Sequence, residues 1–259
     1  MTAQTNLQLY NQLASNGFKV HEIQEVDAAY GAALRLFTGR YRANGKPFSA
    51  HLVGTASILA RHGASLDVII AGLLHATYLQ GEFGSGKPGA SPQRRRWMRE
   101  YVSNEVDDLL VAYAQFPWKP KHLAQLAPEV TSLPEHTRKV LFIRLANALE
   151  DQLDFASQFS AKKHRDDSQA KSREEWGIEI GIALGHDALA GELKVEMNKV
   201  AWTGAETLKK QASGSFVLAP RSHRVKCSPG LRFALRKAVQ RLKAVNFFIA
   251  GARRTTILL

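Results

Sequence analysis

The chain has 259 residues, of which 45% are hydrophobic, and it carries a formal net charge of +12 at pH 7. This length allows one large domain, or a domain with an extension, around a substantial core. The single cysteine, Cys227, excludes an internal disulfide and fits a reducing compartment. The sequence shows no apolar signal segment and no apolar run long enough to span a bilayer, so a cytoplasmic location is expected.

The first part of the chain alternates apolar helical patterns with short breakers, which predicts an all-α fold. A helix is expected over residues 27–41. Ser49 is placed to cap the next helix and Gly63 to end it, and Ser65 is placed to cap the segment "LDVIIAGLLHATYLQ". Residues 81–93 are rich in glycine, proline and serine and predict a loop.

Further helices are predicted from residue 94 onward. The segment "RRRWMREYVSNEVDDLLVAYAQF" is expected to be helical, prolines then break the chain into short pieces, and residues 138–159 form the longest amphipathic pattern. The segment "SREEWGIEIGIALGHDALAGELKVEMNKVAW" adds one or two helices. Residues 1–200 are therefore predicted to be a helical bundle domain, and residues 201–259 a basic C-terminal extension.

The excess positive charge lies near the C-terminus. Residues 198–259 hold 13 lysines and arginines and one acid, Glu206, so by difference residues 1–197 hold 22 basic and 22 acidic residues. Residues 213–230 predict irregular structure, and residues 231–248 predict a basic amphipathic helix. Such a helix suits an anionic partner, which is nucleic acid, a membrane surface or an acidic protein face. It also suits docking on the parent domain or on a second copy in a homo-oligomer.

Three places supply side chains that could carry chemistry. His51 lies near the start of one predicted helix, and His75 lies near the end of the next. Downstream, the long amphipathic helix supplies an amide and three carboxylates: Asn147, Glu150, Asp151 and Asp154. Asn147, Asp151 and Asp154 are spaced by four and then three residues, so they share one helix face. Imidazoles and carboxylates from three helices are the ligands that a divalent-metal site in a bundle requires.

The order of these features resembles a known family. The segments "YRANGKPFSAHLVGTASILARHGASLDVIIAGLLHA", "RLANALED" and "SREEWGIEIGIALGHDALAGELK" are similar, in this order, to the HD-domain hydrolase module of RelA/SpoT homologues. This resemblance covers about residues 26–200 and implies an HD-type helical bundle. The family's enzymes remove pyrophosphate from guanosine tetra- and pentaphosphate with manganese. "AHLVGTASIL" followed by "LLHA" also resembles a small uncharacterised HD-like family.

The resemblance retains the family's metal-binding histidines and loses its carboxylates. His51 and His75 match the two histidine ligands. Ala76 stands where the aspartate of the His-Asp pair is expected, and Asn147 stands where the last aspartate ligand is expected. The resemblance therefore implies a candidate metal set of His51, His75 and Asn147 that lacks the usual negative charge.

Other positions carry over in the same way. Leu79 and Gln80 replace the Glu-Asp pair that serves the attacking water in the family. Arg42 matches an arginine that packs on the guanine base, and Asp151 stands where an asparagine contacts the nucleotide. The resemblance therefore implies a nucleotide pocket from which the hydrolytic carboxylates are missing.

A rebuilt metal site is the alternative. Two imidazoles and a neutral amide hold manganese weakly. Glu82, seven residues after His75, would share its face if the helix continued, and Glu150 or Asp151 would shift the site along the later helix. Zinc or ferrous iron suits a histidine-rich site with one carboxylate better than manganese does.

These observations predict three functions. The first is a degenerate relative of the alarmone hydrolases that binds a phosphorylated nucleotide or another small metabolite without standard manganese-dependent hydrolysis. Its pocket residues would be Arg42, His51, His75, Asn147 and Asp151. The second is an active metal-dependent phosphohydrolase in which Glu82, Glu150 or Asp151 joins the histidines in catalysis. The third is an interaction protein that acts through its basic C-terminal helix.

Overall fold

A computed structural model describes residues 1–84, 88–154, 171–199 and 214–218. The chain divides into a compact unit of Met1–Leu218 and a second unit of Ala219–Leu259. The domain boundary predicted from the sequence, at residue 200, lies outside the described residues. The predicted basic helix at 231–248 and Cys227 lie outside the described residues.

The described part of the chain is mostly helical, which confirms the all-α prediction. Its α-helices are α1 (Asn6–Ser15), α2 (Val20–Phe37), α3 (Phe48–Arg61), α4 (Leu66–Leu74), α5 (Thr77–Gln80), α6 (Pro92–Met98), α7 (Asn104–Gln115), α8 (Pro120–Leu126), α9 (Glu135–Leu153), α10 (Arg173–Ala183) and α11 (Asp187–Met197). A 3₁₀ helix, Ala127–Ser132, follows α8. Within the same described residues, no helix has the length and apolarity needed to cross a bilayer.

Two short strands, which the sequence did not predict, form a small antiparallel sheet. Strand β1 (Arg40–Tyr41) precedes α3, and strand β2 (Phe216–Val217) comes from the region predicted to be irregular. A strand of two residues shows no alternation of apolar and polar positions, so the sequence carries no periodic signal for it.

Several predicted helix ends are confirmed and others are wrong. Ser65 stands at the N-cap position of α4, where its side chain makes no capping hydrogen bond, and Gly63 has a φ of 74° after α3, as expected of a helix-ending glycine. Ser49 is not a cap, because α3 already begins at Phe48, with Pro47 at the N-cap position. The long helix expected after Ser65 breaks at His75 and Ala76, between α4 and α5.

The core surrounds α3 and α4. Helix α3 is buried on nearly all sides and packs against α1, α4 and α9, while α4 packs against α2, α7 and α9. Helix α9 buries one face through Leu141, Leu145 and Leu149, as its amphipathic pattern predicts. This packing brings the start of α3, the end of α4 and the middle of α9 together, which positions the candidate site.

A buried carboxylate holds the segment after α4 against α6 and α7. The side chain of Asp107, in α7, is fully buried and accepts hydrogen bonds from Arg95 Nε at 2.8 Å and from Arg99 Nε at 2.7 Å. The Tyr78 hydroxyl, in α5, also donates to it. A buried charge is tolerated when several donors surround it. Asp107 therefore fixes α5, and with it the chain that follows His75.

This network predicts a large difference between two adjacent acids. Asp107→Asn should lower the free energy of unfolding by about 2–3 kcal/mol, because it weakens a buried group with three donors. Asp108→Asn is the matched control, since Asp108 is exposed and its ion pair with Arg95 lies at the surface; it should cost less than about 1 kcal/mol. Urea unfolding at pH 7 measures both. Equal effects would show that Asp107 does not anchor α5.

Candidate functional site

Two buried histidines face each other at the centre of the bundle. His51, in α3, is 1% exposed, and His75, immediately after α4, is 4% exposed. Their Nε2 atoms lie 3.2 Å apart and their ring planes cross at 77°. The structure therefore brings together the two histidines that the sequence paired.

Each ring uses its Nδ1 atom to contact an acceptor. His75 Nδ1 lies 2.7 Å from the Gly72 carbonyl oxygen, which can only accept, so Nδ1 carries the hydrogen and Nε2 a lone pair. His51 Nδ1 contacts a carboxylate oxygen of Glu150, in α9. An ionised Glu150 can only accept, so we infer the same tautomer for His51, and the 3.2 Å contact between the two Nε2 atoms is then not a hydrogen bond. Acceptors on Nδ1 are the usual means of aiming Nε2 at a ligand.

Glu150 occupies space that a glycine leaves open. Its side chain is buried, and a Cβ atom added to Gly54 would lie 2.8 Å from Glu150 Oε1. Lys46 Nζ contacts the same oxygen, and it also contacts Asp154. Burial raises the pKa of Glu150, and the charge of Lys46 opposes that shift. Each oxygen of this carboxylate thus has one donor.

Arg42 covers the outer side of the histidine pair. Its Nη1 atom lies 2.5 Å from both ring nitrogens of His51, of which only the unprotonated Nε2 can accept its hydrogen, and its Nη2 atom lies 2.6 Å from Asp151 Oδ1. The side chains of Arg42 and Asp151 are 22% and 24% exposed, so they form the rim of the site, although the Asp151 Oδ1 atom that faces Arg42 is itself buried. A ligand that enters here meets Arg42 before it meets the histidines.

A tight turn places Arg42 and Lys46 together. The Arg42 amide donates to the Lys46 carbonyl at 2.8 Å, and the Gly45 amide donates to the Arg42 carbonyl at 2.9 Å. Gly45 has a φ of 90°, which a side chain would disfavour. The sequence analysis missed Lys46. The Asn44-Gly45 pair is a turn signal that would have placed Lys46 opposite Arg42.

The charges of the site nearly balance. With the two histidines neutral, the cations Arg42 and Lys46 face three carboxylates, which leaves a net charge of −1: Glu150, Asp151 and Asp154. Burial lowers the pKa of His51 and of His75 well below the ordinary value, and the neighbouring cation Arg42 adds to the shift at both. All three carboxylates already contact a cation.

The remaining predicted residues are placed as follows. Asn147 is half-buried on α9, beside His51, and its role in the site remains a prediction. Glu82 does not join the histidines, because its carboxylate is 52% exposed and pairs with Arg40 at 3.1 Å. The helix break after His75 is the physical reason, since seven residues no longer correspond to two helical turns. Glu82 therefore supplies neither a ligand nor a base to this centre in the structure.

A half-buried cation, Arg144, lies behind His75, which the sequence analysis also missed. The Tyr113 ring packs against His75, with the ring centres 5.1 Å apart, and the Arg144 guanidinium lies 3.7 Å from the centre of the Tyr113 ring. Arg144 Nη2 donates to the backbone carbonyls of Tyr113 and Phe116. These contacts fix the wall of the site behind His75 and add positive charge beside it.

The site contains ligand types for a metal. Among the described residues, His51, Glu150 and Asp151 have ligand atoms within 4.8 Å of one another. The 3.2 Å between the two Nε2 atoms is also close to the edge of about 3.3 Å expected between two nitrogen ligands of tetrahedral zinc. However, the carboxylates lie at the Nδ1 side of His51 and His75 lies at the Nε2 side. Arg42 Nη1 also contacts both nitrogens, so an ion at His51 would have to displace Arg42.

Comparison with known proteins gives two partial matches. A family model described as "Domain of unknown function (DUF6817)" matches residues 34–117, which include Arg42, His51 and His75. The chain is 38% identical over 77 residues to the probable chloroplastic GTP diphosphokinase RSH3 of Arabidopsis thaliana, and 35% identical over 77 residues to RSH2 of the same plant. Each match covers 26% of this chain and 11% of the relative. The predicted likeness to RelA/SpoT homologues is thus confirmed for a limited segment.

The lowered histidine pKa values predict a pH-dependent stability. The folded protein takes up these protons at lower pH than the unfolded chain. The contribution of the two histidines to the free energy of unfolding should therefore be greatest above about pH 6.5. It should fall as the pH decreases, by up to about 1.4 kcal/mol per pH unit for each histidine. His75→Gln should reduce this slope between pH 7.5 and 5.5 in urea unfolding. The exposed His136→Gln is the control and should retain it. An unchanged slope in His75→Gln would contradict the neutral, buried state of His75.

Proposed function

We propose that the site around Arg42, His51 and His75 binds a phosphorylated nucleotide, without standard manganese-dependent hydrolysis. The observation that carries this proposal is the convergence of Arg42 and Lys46, from one tight turn, on the buried histidine pair. A guanidinium binds phosphate in a bidentate manner, and a lysine ammonium adds a second positive charge. Arg42 is accessible at the rim, so a phosphate reaches it without rearrangement of the core.

The comparisons support the class of ligand. Two relatives carry the name of probable GTP diphosphokinases, and the ordered motifs resemble the HD-type hydrolase module of RelA/SpoT homologues. Guanosine phosphates are therefore the first ligands to test. We also propose, from the resemblance of these motifs, that the helical bundle is of the HD type.

The missing carboxylates support the absence of standard hydrolysis. A metal-activated water needs a firmly held cation and a nearby base. Ala76 and Asn147 stand in place of two of the expected carboxylates. Leu79 and Gln80 stand in place of the Glu-Asp pair that would serve the attacking water. The carboxylates that remain are engaged: Glu150 with Lys46 and His51, and Asp151 with Arg42.

Phosphate binding in this site requires an exchange of partners. Three carboxylates surround Arg42 and Lys46, and Arg42 is paired with Asp151, so an anion must compete for the guanidinium. Because this pair lies at the rim, a phosphate can take the place of the carboxylate on the guanidinium at a modest cost. Asp151 therefore competes with the ligand in this proposal, and its negative charge sets the affinity.

Two variants with opposite effects test the proposal. In a chelator-containing buffer, Arg42→Ala should weaken the binding of GDP and guanosine tetraphosphate by at least about tenfold, because charge-assisted hydrogen bonds are lost. Asp151→Asn should tighten it, because Arg42 is freed from its competitor. Titration calorimetry measures both effects. Arg61→Ala, which removes an exposed ion pair with Glu192, is the control and should bind as the wild type does. Failure of the wild-type protein to bind any of these nucleotides would refute the proposal.

A rebuilt metal-dependent phosphohydrolase is the second candidate. The cluster of His51, Glu150 and Asp151 favours it, and zinc or ferrous iron fits these ligands better than manganese. With a metal in place, Asp151 would be a ligand instead of a competitor, and Arg42 would have to leave His51. Asp151→Asn should therefore weaken metal binding, and Arg42→Ala should favour it.

Elemental analysis of purified protein separates the two candidates. The nucleotide-binding proposal predicts a metal content far below one ion per chain in the wild type. The metal-enzyme candidate predicts one zinc or iron per chain, a loss of that metal in Asp151→Asn and in His51→Ala, and retention or gain in Arg42→Ala. Metal at stoichiometric level with this pattern of variants would replace the first proposal by the second.

A further inference from the structure

We infer that strand β2, from the C-terminal region, is a positioning element of the ligand pocket, because it holds the turn that carries Arg42 and Lys46. This inference rests on the proposed function for its effect on ligand affinity. Its structural part, which is the bracing of the turn, can be measured without any ligand. Phe216 is the residue through which β2 acts.

The contacts between β2 and the turn are direct. Tyr41 pairs with Phe216 and Arg40 pairs with Val217 in the antiparallel register. The Leu218 amide donates to the Gly39 carbonyl at 2.8 Å. The rings of Tyr41 and Phe216 stack with their centres 5.6 Å apart and their planes 11° apart. Residues 216–218 thus follow the backbone that leads into Arg42.

Tyr41 connects β2 to both ends of the turn. It directly precedes Arg42, and it also forms an antiparallel bridge with Pro47, which directly follows Lys46. The chain on each side of the Arg42–Lys46 turn therefore meets at Tyr41. Fixing Tyr41 from its other side, through Phe216, limits how far the two cations can move relative to His51.

Gly39 has the properties expected of a close approach between backbones. Its φ is 74°, and a Cβ atom added to it would lie 3.1 Å from the Leu218 carbonyl oxygen. A larger residue at this position would be strained and would press against β2. The absence of a side chain here lets β2 lie against the segment that enters the turn.

The pairing of β2 with β1 is weak enough to open and close. The strand has two residues, and the side chains beside Phe216 in sequence, Val217 and Leu218, are 55% and 52% exposed. The Tyr41–Phe216 stack is therefore the main apolar contact of β2 in the described residues. Short pairings of this kind open at low free-energy cost. By linkage, a ligand that needs an ordered turn stabilises β2, and β2 favours the ligand equally.

The chain continues from β2 into its most basic part. Residues 219–259 contain ten lysines and arginines and no acidic residue. In the sequence, β2 lies just before this basic stretch.

Amide hydrogen exchange in the full-length protein tests the inference. Phe216→Ala should speed exchange of the Arg42 and Gly45 amides and weaken guanosine nucleotide binding by about threefold to tenfold, the range expected for losing one aromatic pair. Phe216→Tyr should restore both values, because it keeps the stacked ring. Val217→Thr is the matched control, since this neighbouring side chain is exposed, and it should leave both values unchanged. Nucleotide should in turn slow exchange of the Leu218 amide in the wild type.

The outcomes separate this inference from the proposed function. If Phe216→Ala leaves exchange at Arg42 and Gly45 unchanged while the melting temperature shows a folded protein, the inference is overturned. If the wild type binds no nucleotide, the proposed function fails, and the exchange rates of the variants still decide whether β2 braces the turn. If exchange and affinity change equally in Val217→Thr and Phe216→Ala, the effect is not specific to Phe216 and the inference is again overturned.

Discussion

The site depends on one buried interaction, the contact between Glu150 and His51. A carboxylate this deep in a bundle requires donors on both oxygens, and His51 and Lys46 supply them. This requirement fixes three other features of the molecule. The α3 and α9 helices must keep their register, residue 54 must be a glycine to leave room, and the turn before α3 must return Lys46 towards α9. The orientation of His51 follows from the same contact.

The carboxylates of the site can pair with cationic side chains or bind a metal ion, but they cannot do both at once. In the structure, Arg42 and Lys46 take the positive role. When two cationic side chains take the place of a metal, a phosphate can replace the Asp151 carboxylate on Arg42 at the rim of the site. The two cations do not provide an activated water. We therefore propose ligand binding, and not hydrolysis, for this site.

The sequence predicted the helices and the pairing of the histidines, because helical periodicity and an ordered set of motifs extend over many residues. It did not predict the features that depend on single backbone events. The break at His75 moved Glu82 away from the centre, and the turn at Gly45 brought Lys46 into it. Glu150 lies one position off the face shared by Asn147 and Asp151, and only the packing of α9 on α3 shows that it is the buried acid. Strand β2 was too short for any periodic signal.

The protonation of the two imidazole rings can be measured directly, and both the nucleotide-binding proposal and the metal-enzyme candidate depend on it. Nitrogen-15 NMR of the imidazole rings distinguishes a protonated Nδ1 from a protonated Nε2. The account predicts that His51 and His75 both carry their hydrogen on Nδ1 at pH 7.5, with both Nε2 atoms unprotonated, and that Glu150→Gln alters His51 more than His75. A hydrogen on His51 Nε2, shared with His75 Nε2, would show that the pair is a closed hydrogen bond and not an open site. That result would contradict the account.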